Sequence, residues 1–243
     1  ENLKLVDAVI EIRDARIPRS SANPDIDKLL EGKPRIILLN KSDLTDSKVT
    51  KEWIDYLTND NVKVLEVNCL KGEGLKAIKP ALLNLLKEKH DRLKAKGMAK
   101  IITRVMVVGI PNVGKSTFIN KMARNNIAKT GDRPGVTKSK QWIKTAIGIE
   151  LLDTPGVLWP KFEDDTTALN LAFTGAIKDE IMDIEELALK LVERLQKNYE
   201  TKLKERYKLS EICENPLDVH EVLEAVGLGH RKNNFPAQMS GGE

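Results

Sequence analysis

Short apolar runs rich in Val, Ile and Leu stand at residues 6–12, 35–39, 62–67, 104–108 and 150–152, several of them apolar on consecutive positions. Strands buried on both faces of a parallel sheet read this way, whereas a half-exposed strand alternates. Between these runs Leu75, Ile78, Leu82, Leu85 and Leu86 follow the helical period. Strands alternating with helices predict an α/β layered fold with a mostly parallel sheet and helices on both faces. Residues 142–149 read as one further strand.

Past residue 164 the strand pattern stops. Ile184, Leu187, Ala188, Leu191, Val192 and Leu195 share one helical face. Val219, Val222, Leu223 and Val226 form another, with Pro216 shortly before it and Gly227 at the C-cap position. These stripes predict a small all-helical domain over residues 165–243, after an α/β domain over residues 1–164. An apolar stripe on a helix is more often core than binding surface.

Composition narrows the class. The chain has 243 residues, 41% hydrophobic and 31% charged, enough to bury a core and too apolar for a mainly disordered chain. No apolar run reaches the ~18 residues that suggest a membrane span, and there is no signal-peptide pattern. Two cysteines, Cys69 and Cys213, are too few for a disulfide framework and suit a reducing, cytoplasmic setting. Because the chain starts at Glu1 and stops at Met239-Ser240-Gly241-Gly242-Glu243, native segments are expected beyond both ends.

Charge is uneven along the chain. Residues 87–144 carry fifteen Lys and Arg against three acids, and in residues 160–195 nine acids face four bases. A basic stretch is either a solvated face or a surface for nucleic-acid phosphates.

The chemistry begins at Gly109-Ile110-Pro111-Asn112-Val113-Gly114-Lys115-Ser116-Thr117. Two glycines bracket four residues, then Lys and Ser follow, between an apolar strand and a helical pattern. That is the context a phosphate-binding P-loop requires, and an ordinary Gly-rich turn is the weaker alternative. The N–H groups of residues 112–117 can wrap a phosphate at a helix N-terminus. Lys115 can reach the β- and γ-phosphates, and Ser116 can offer its hydroxyl to Mg²⁺.

Asn40-Lys41-Ser42-Asp43 follows the strand at 35–39, where ligands bind in open α/β sheets. A carboxylate accepts two parallel bonds from guanine N1–H and N2–H₂, and adenine lacks that pair of donors. Asp43 is therefore the candidate guanine reader. Lys41 can lie over the base and close the loop against the P-loop. Alone, such a tetrapeptide reads as a polar turn; with a P-loop it selects a guanine nucleotide. Asn68-Cys69-Leu70, after the strand at 62–67, can offer backbone N–H groups to the guanine oxygen.

Asp153-Thr154-Pro155-Gly156 follows another strand. Asp153 can hold Mg²⁺ through water and the Gly156 N–H can sense the γ-phosphate; a plain Pro-Gly turn is the alternative. Thr137 is the candidate second hydroxyl ligand of Mg²⁺. A Gln often follows such a turn and orients the attacking water. Here Val157 stands there, with no hydrogen-bonding atom.

Together these segments resemble the five G motifs of the GTPases related to translation factors. The base-reading motifs (40–43, 68–70) precede the phosphate motifs (109–117, 137, 153–156). That order resembles the circularly permuted GTPases. Asp14-Ala15-Arg16-Ile17-Pro18, Leu158-Trp159-Pro160-Lys161-Phe162 and Thr174-Gly175-Ala176-Ile177-Lys178 extend the likeness, which is greatest to the bacterial ribosome biogenesis GTPase A family. The resemblance implies a GTP hydrolase in late assembly of the large ribosomal subunit. It implies a precursor of that subunit, with its rRNA and proteins, as partner, and release after hydrolysis. It also implies K⁺ beside Asn112 and a water-orienting His near the N-terminus. None of His90, His220 and His230 matches that place, so no catalytic residue is assigned within the chain, and slow hydrolysis is expected. A monomer without membrane attachment is expected. Two other readings stand beside this one: a GTP-gated RNA-binding scaffold, and a GTPase assisting tRNA or rRNA modification.

Overall fold

The computed structural model describes residues 2–30, 32–98, 101–123, 142–155, 158–159, 164–177 and 184–207. Thr137, Gly156, Val157, Cys213, His220, His230 and the helix expected around residues 219–226 lie outside them. The chain divides into two compact units, residues 1–162 and 163–243.

The first unit holds a six-stranded sheet: β1 (Ala8–Asp14), β2 (Arg35–Asn40), β3 (Val62–Val67), β4 (Thr103–Gly109), β5 (Trp142–Lys144) and β6 (Ile149–Asp153). The order across the sheet is β3-β2-β1-β4-β6-β5. Every pairing is parallel except β5 with β6. All seven residues of the central β1 are buried, as expected of a strand covered on both faces, including the charged Glu11, Arg13 and Asp14. Residues 142–149 are not one strand. The chain turns after β5, where Thr145 Oγ1 donates to Ile149 O (2.9 Å) and accepts from Ile149 N–H (3.2 Å). Gly148, at a φ of 82°, takes the left-handed conformation the turn needs.

The helices of this unit are α1 (Pro24–Leu29), α2 (Ser47–Leu57), α3 (Ile78–Leu85), α4 (Lys87–Ala95) and α5 (Lys115–Met122). The stripe at 75–86 forms a 3-10 turn, Leu75–Ala77, followed by α3, and the chain bends at Leu86. One apolar cluster joins Ile37, Leu39, Val62 and Val64 to Trp53, Ile54 and Leu57 of α2. Another joins Val9, Met106 and Leu152 to Leu30 and Ile26. Between them Glu11 is buried but paired, with Arg13 Nε at 2.7 Å and Arg35 Nη1 at 3.0 Å.

In the second unit α6 (Asp165–Phe173) starts behind Asp164, whose carboxylate accepts the Thr167 N–H at 2.7 Å. The stripe at 184–195 is the first half of α7 (Ile184–Tyr207), which departs from helical geometry at Tyr199.

Candidate nucleotide-binding site

The candidate residues converge on the C-terminal ends of β1, β2, β3, β4 and β6. Gly109 closes β4 and Gly114 precedes α5. Both glycines are required by contact. A Cβ on Gly109 would lie 2.6 Å from Ile12 O, and one on Gly114 would lie 2.3 Å from Asn40 Nδ2. Gly114 also has a φ of 103°, which side chains rarely adopt. Ile110 and Val113 are buried beneath the loop, while Asn112 is exposed at a φ of 55°. Phe118, Ile119 and Met122 anchor α5, so the loop is tethered at both ends. Ser116 is exposed and Thr117 half-buried in the first turn of α5.

Lys115 is buried, and its Nζ donates to Gly109 O and Ile110 O, each at 3.1 Å. Burial pushes its pKa down to about 8, against the attraction of Asp153. Asp153, at the end of β6, has its carboxyl raised by burial, opposed by Lys115 and by a backbone bond at Thr154. Thr154 Oγ1 donates to Val107 O at 2.6 Å and ties this strand end to β4.

Asn40 ties the base-reading loop to the P-loop. Its Nδ2 donates to Val113 O at 2.8 Å, and its Oδ1 accepts the Cys69 N–H at 3.0 Å. One buried amide thus joins the P-loop to the loops at 40–43 and 68–70, the candidate base readers. Lys41 has a φ of 63° and sends its ammonium to Asp14, 3.0 Å away. Ser42 Oγ donates to Val67 O at 3.2 Å. Asp43 is exposed within a 3-10 turn, Ser42–Leu44, with Lys71 Nζ 3.7 Å from its carboxylate.

Asn68 shapes the third loop: its Oδ1 accepts the Lys71 N–H at 3.0 Å and its carbonyl accepts the Gly72 N–H at 2.7 Å. Cys69 is buried, which pushes its thiol up to about 12. Because its N–H is engaged by Asn40, the exposed Leu70 is the remaining candidate among residues 69 and 70 for a donor N–H. Sequence reasoning missed the double role of Asn40 and the Asp14–Lys41 pair. The only sequence signal for the latter was the likeness of residues 14–18 to a family motif.

The low pKa of Lys115 has a testable sign. Phosphates of a nucleotide held here would favour the ammonium, so binding would raise its pKa and take up a proton wherever the free amine is neutral. Affinity is then level below pH 8 and falls as pH rises through it. The nucleotide's own phosphates, with a last pKa of about 6, are ionised throughout that range. Calorimetry at pH 8.5 in buffers of different ionisation enthalpy is expected to register proton uptake, which Lys115→Met removes. Equal heats in all buffers would refute this.

A strand, phosphate loop and helix, preceded in sequence by the base-reading strands of the same parallel sheet, define a circularly permuted P-loop GTPase fold. Residues 104–221 match the model of the 50S ribosome-binding GTPase family. Ribosome biogenesis GTPase A of Bacillus licheniformis is 52% identical over 227 residues, 93% of this chain and 79% of that protein. Mitochondrial ribosome-associated GTPase 1 of Bos taurus is 34% identical over 99% of this chain and 73% of its own. The crystal structure of GNP-bound YlqF from T. maritima superposes with a TM-score of 0.58 at 26% identity, covering 95% of this chain and 91% of that one. The chain belongs to the ribosome biogenesis GTPase A family.

Proposed function

We propose that this chain hydrolyses GTP to GDP and phosphate and uses the reaction to time its release from a maturing large ribosomal subunit. The observation that carries the reading is the Asn40 amide, which joins a phosphate loop to two loops suited to a guanine base. Asp43 accepts guanine N1–H and N2–H₂, Lys41 covers the base, Ser42 holds the turn, and the loop of Asn68, Cys69 and Leu70 supplies the guanine oxygen's donor through Leu70. The N–H groups of Asn112, Val113, Gly114, Lys115, Ser116 and Thr117 cradle the phosphates.

Ser116 and Thr137 would hold Mg²⁺ directly and Asp153 through water. An exposed hydroxyl in the first turn of α5 and a half-buried carboxylate at the end of β6 suit a hard cation that keeps part of its water shell. When bound, Mg²⁺ neutralises charge on the β- and γ-phosphates. Lys115 adds a fixed charge, and Gly156 donates to the γ-phosphate and so reports its presence. Val157 cannot orient water, so hydrolysis by the chain alone is slow. The basic stretch at 87–144 and the helical residues 165–243 supply the contacts to rRNA and ribosomal protein, from a cytoplasmic monomer. Among the described residues no helix is long and apolar enough to cross a membrane.

Asn112 supports a further expectation. It is exposed at the tip of the P-loop in a left-handed conformation. A K⁺ held there would offset charge developing between the β- and γ-phosphates. Single-turnover GTP hydrolysis with large ribosomal subunits is expected to run faster in KCl than in NaCl. Asn112→Ala should abolish the difference, and ATP should not replace GTP. Equal rates in both salts would remove K⁺ from the scheme. Absence of subunit-stimulated hydrolysis, with GTP-dependent subunit binding retained, would favour a GTP-gated scaffold.

A further inference from the structure

The segment after β1 takes no part in the proposed hydrolysis. Asp14 ends β1 and lies beside Asn40 in the parallel register with β2. Its side chain is buried, yet it gathers four donors. Oδ1 accepts the Arg16 N–H at 3.0 Å and Arg16 Nε at 2.9 Å. Oδ2 accepts Arg16 Nη2 at 2.7 Å and Lys41 Nζ at 3.0 Å. The backbone around it is fixed as well. The Ala15 N–H donates to Asn40 O at 2.8 Å, and the Asp14 N–H donates to Ser21 Oγ at 3.1 Å. Burial raises the Asp14 carboxyl pKa, but Arg16 and Lys41 outweigh it and hold it below the usual range, so the group is an anion near neutral pH.

Lys41 lies between Asn40, which grips the P-loop, and Asp43, which faces solvent. A lysine stem has four rotatable bonds, and holding it still on ligand binding costs rotamer entropy. Here the ammonium end is tied down across the strand boundary to β1, and the backbone end is held in a left-handed turn whose carbonyl accepts the Leu44 N–H at 3.0 Å. The stem is fixed at both ends.

We propose that Asp14, braced by Arg16, is a positioning residue for the guanine pocket: it holds Lys41 extended so that its stem is a preformed wall for the base. This rests on the assignment of residues 40–43 as the base-reading loop. Preorganisation of this kind lowers the cost of binding, so its loss appears in nucleotide retention rather than in turnover at saturation.

The test is displacement of a fluorescent N-methylanthraniloyl GDP from the full chain in a stopped-flow instrument. Wild type is expected to bind this probe and not its adenine counterpart. Failure to do so overturns both the guanine reading and this proposal. With wild-type binding in place, Asp14→Asn is expected to speed dissociation by about tenfold or more and to raise KM for GTP, with kcat within about twofold. Lys41→Met should speed dissociation likewise, and the double variant should dissociate no faster than Lys41→Met alone. An unchanged dissociation rate in Asp14→Asn, or effects that multiply in the double variant, overturns the proposal while leaving the guanine reading intact. Should Asp14→Asn not fold, the wild-type chain still decides. The Lys41 ¹⁵Nζ ammonium signal must be protected from solvent exchange, and a rapidly exchanging signal overturns the proposal.

Discussion

Asn40→Ala is expected to weaken GDP and GTP binding by about 10²-fold and to cost about 2–4 kcal/mol of folding stability. The side chain is buried and both halves of its amide are engaged, one by Val113 O and one by the Cys69 N–H. Alanine removes the amide and leaves a donor and an acceptor in the interior with nothing in its place. Each such orphan costs about 1–3 kcal/mol. The loss to binding is larger than the loss of contact alone, because the amide sets the distance between the phosphate loop and the base-reading loops. A nucleotide held by both would lose its fit at two places together if one shifted against the other. Urea denaturation with a parallel titration of fluorescent GDP separates the effects. Reduced stability with wild-type affinity would show that the amide supports the fold without setting the site.

The parallel strands were legible because burial on both faces removes polar residues from consecutive positions, as at Val105, Met106, Val107 and Val108. The β5–β6 hairpin was not legible. Its turn carries Thr145 and Gly148 without an Asn-Gly or Asp-Gly signal, and a threonine hydroxyl reinforces the backbone bond from the Thr145 N–H to Ile149 O. Helix α2 escaped notice because its buried residue is the polar Thr50, and its apolar contacts with the core, Trp53, Ile54 and Leu57, are only half-buried. Its start is marked by Asp46, whose carboxylate accepts the Lys48 N–H. The P-loop could be read because its parts are contiguous and physically constrained: two glycines that tolerate no Cβ, then a lysine and a serine. The clamp could not, since Asn40 reaches partners 29 and 73 positions away. No local pattern encodes such a meeting. The parallel register of β1 with β2 and β4 creates it by bringing the ends of those strands together. Asp14 and Lys41 meet for the same reason.

The sharpest expected change in specificity comes from Asp43→Asn. Asp43 is exposed, and its ion pair with Lys71 at 3.7 Å is solvent-screened, so folding stability should move by less than about 0.5 kcal/mol. Base recognition should respond far more. A carboxylate offers two acceptors to the two donors on the guanine edge. An amide offers one acceptor and one donor, so its N–H₂ must face the guanine 2-amino group, donor against donor. Such a mismatch at a desolvated edge costs a few kcal/mol, or about 10²–10³-fold in GTP affinity. Xanthine carries a carbonyl where guanine carries that amino group, and it complements the amide. The variant should therefore bind XTP more tightly than GTP, reversing the wild-type order, while ATP stays weak for both. Competition of GTP, XTP and ATP against a fluorescent nucleotide, with thermal melting of both proteins alongside, measures each part. A variant that keeps wild-type preference for GTP over XTP and ATP would show that another residue reads the base. A variant that loses all nucleotides equally would show that Asp43 shapes the loop without contacting the purine edge.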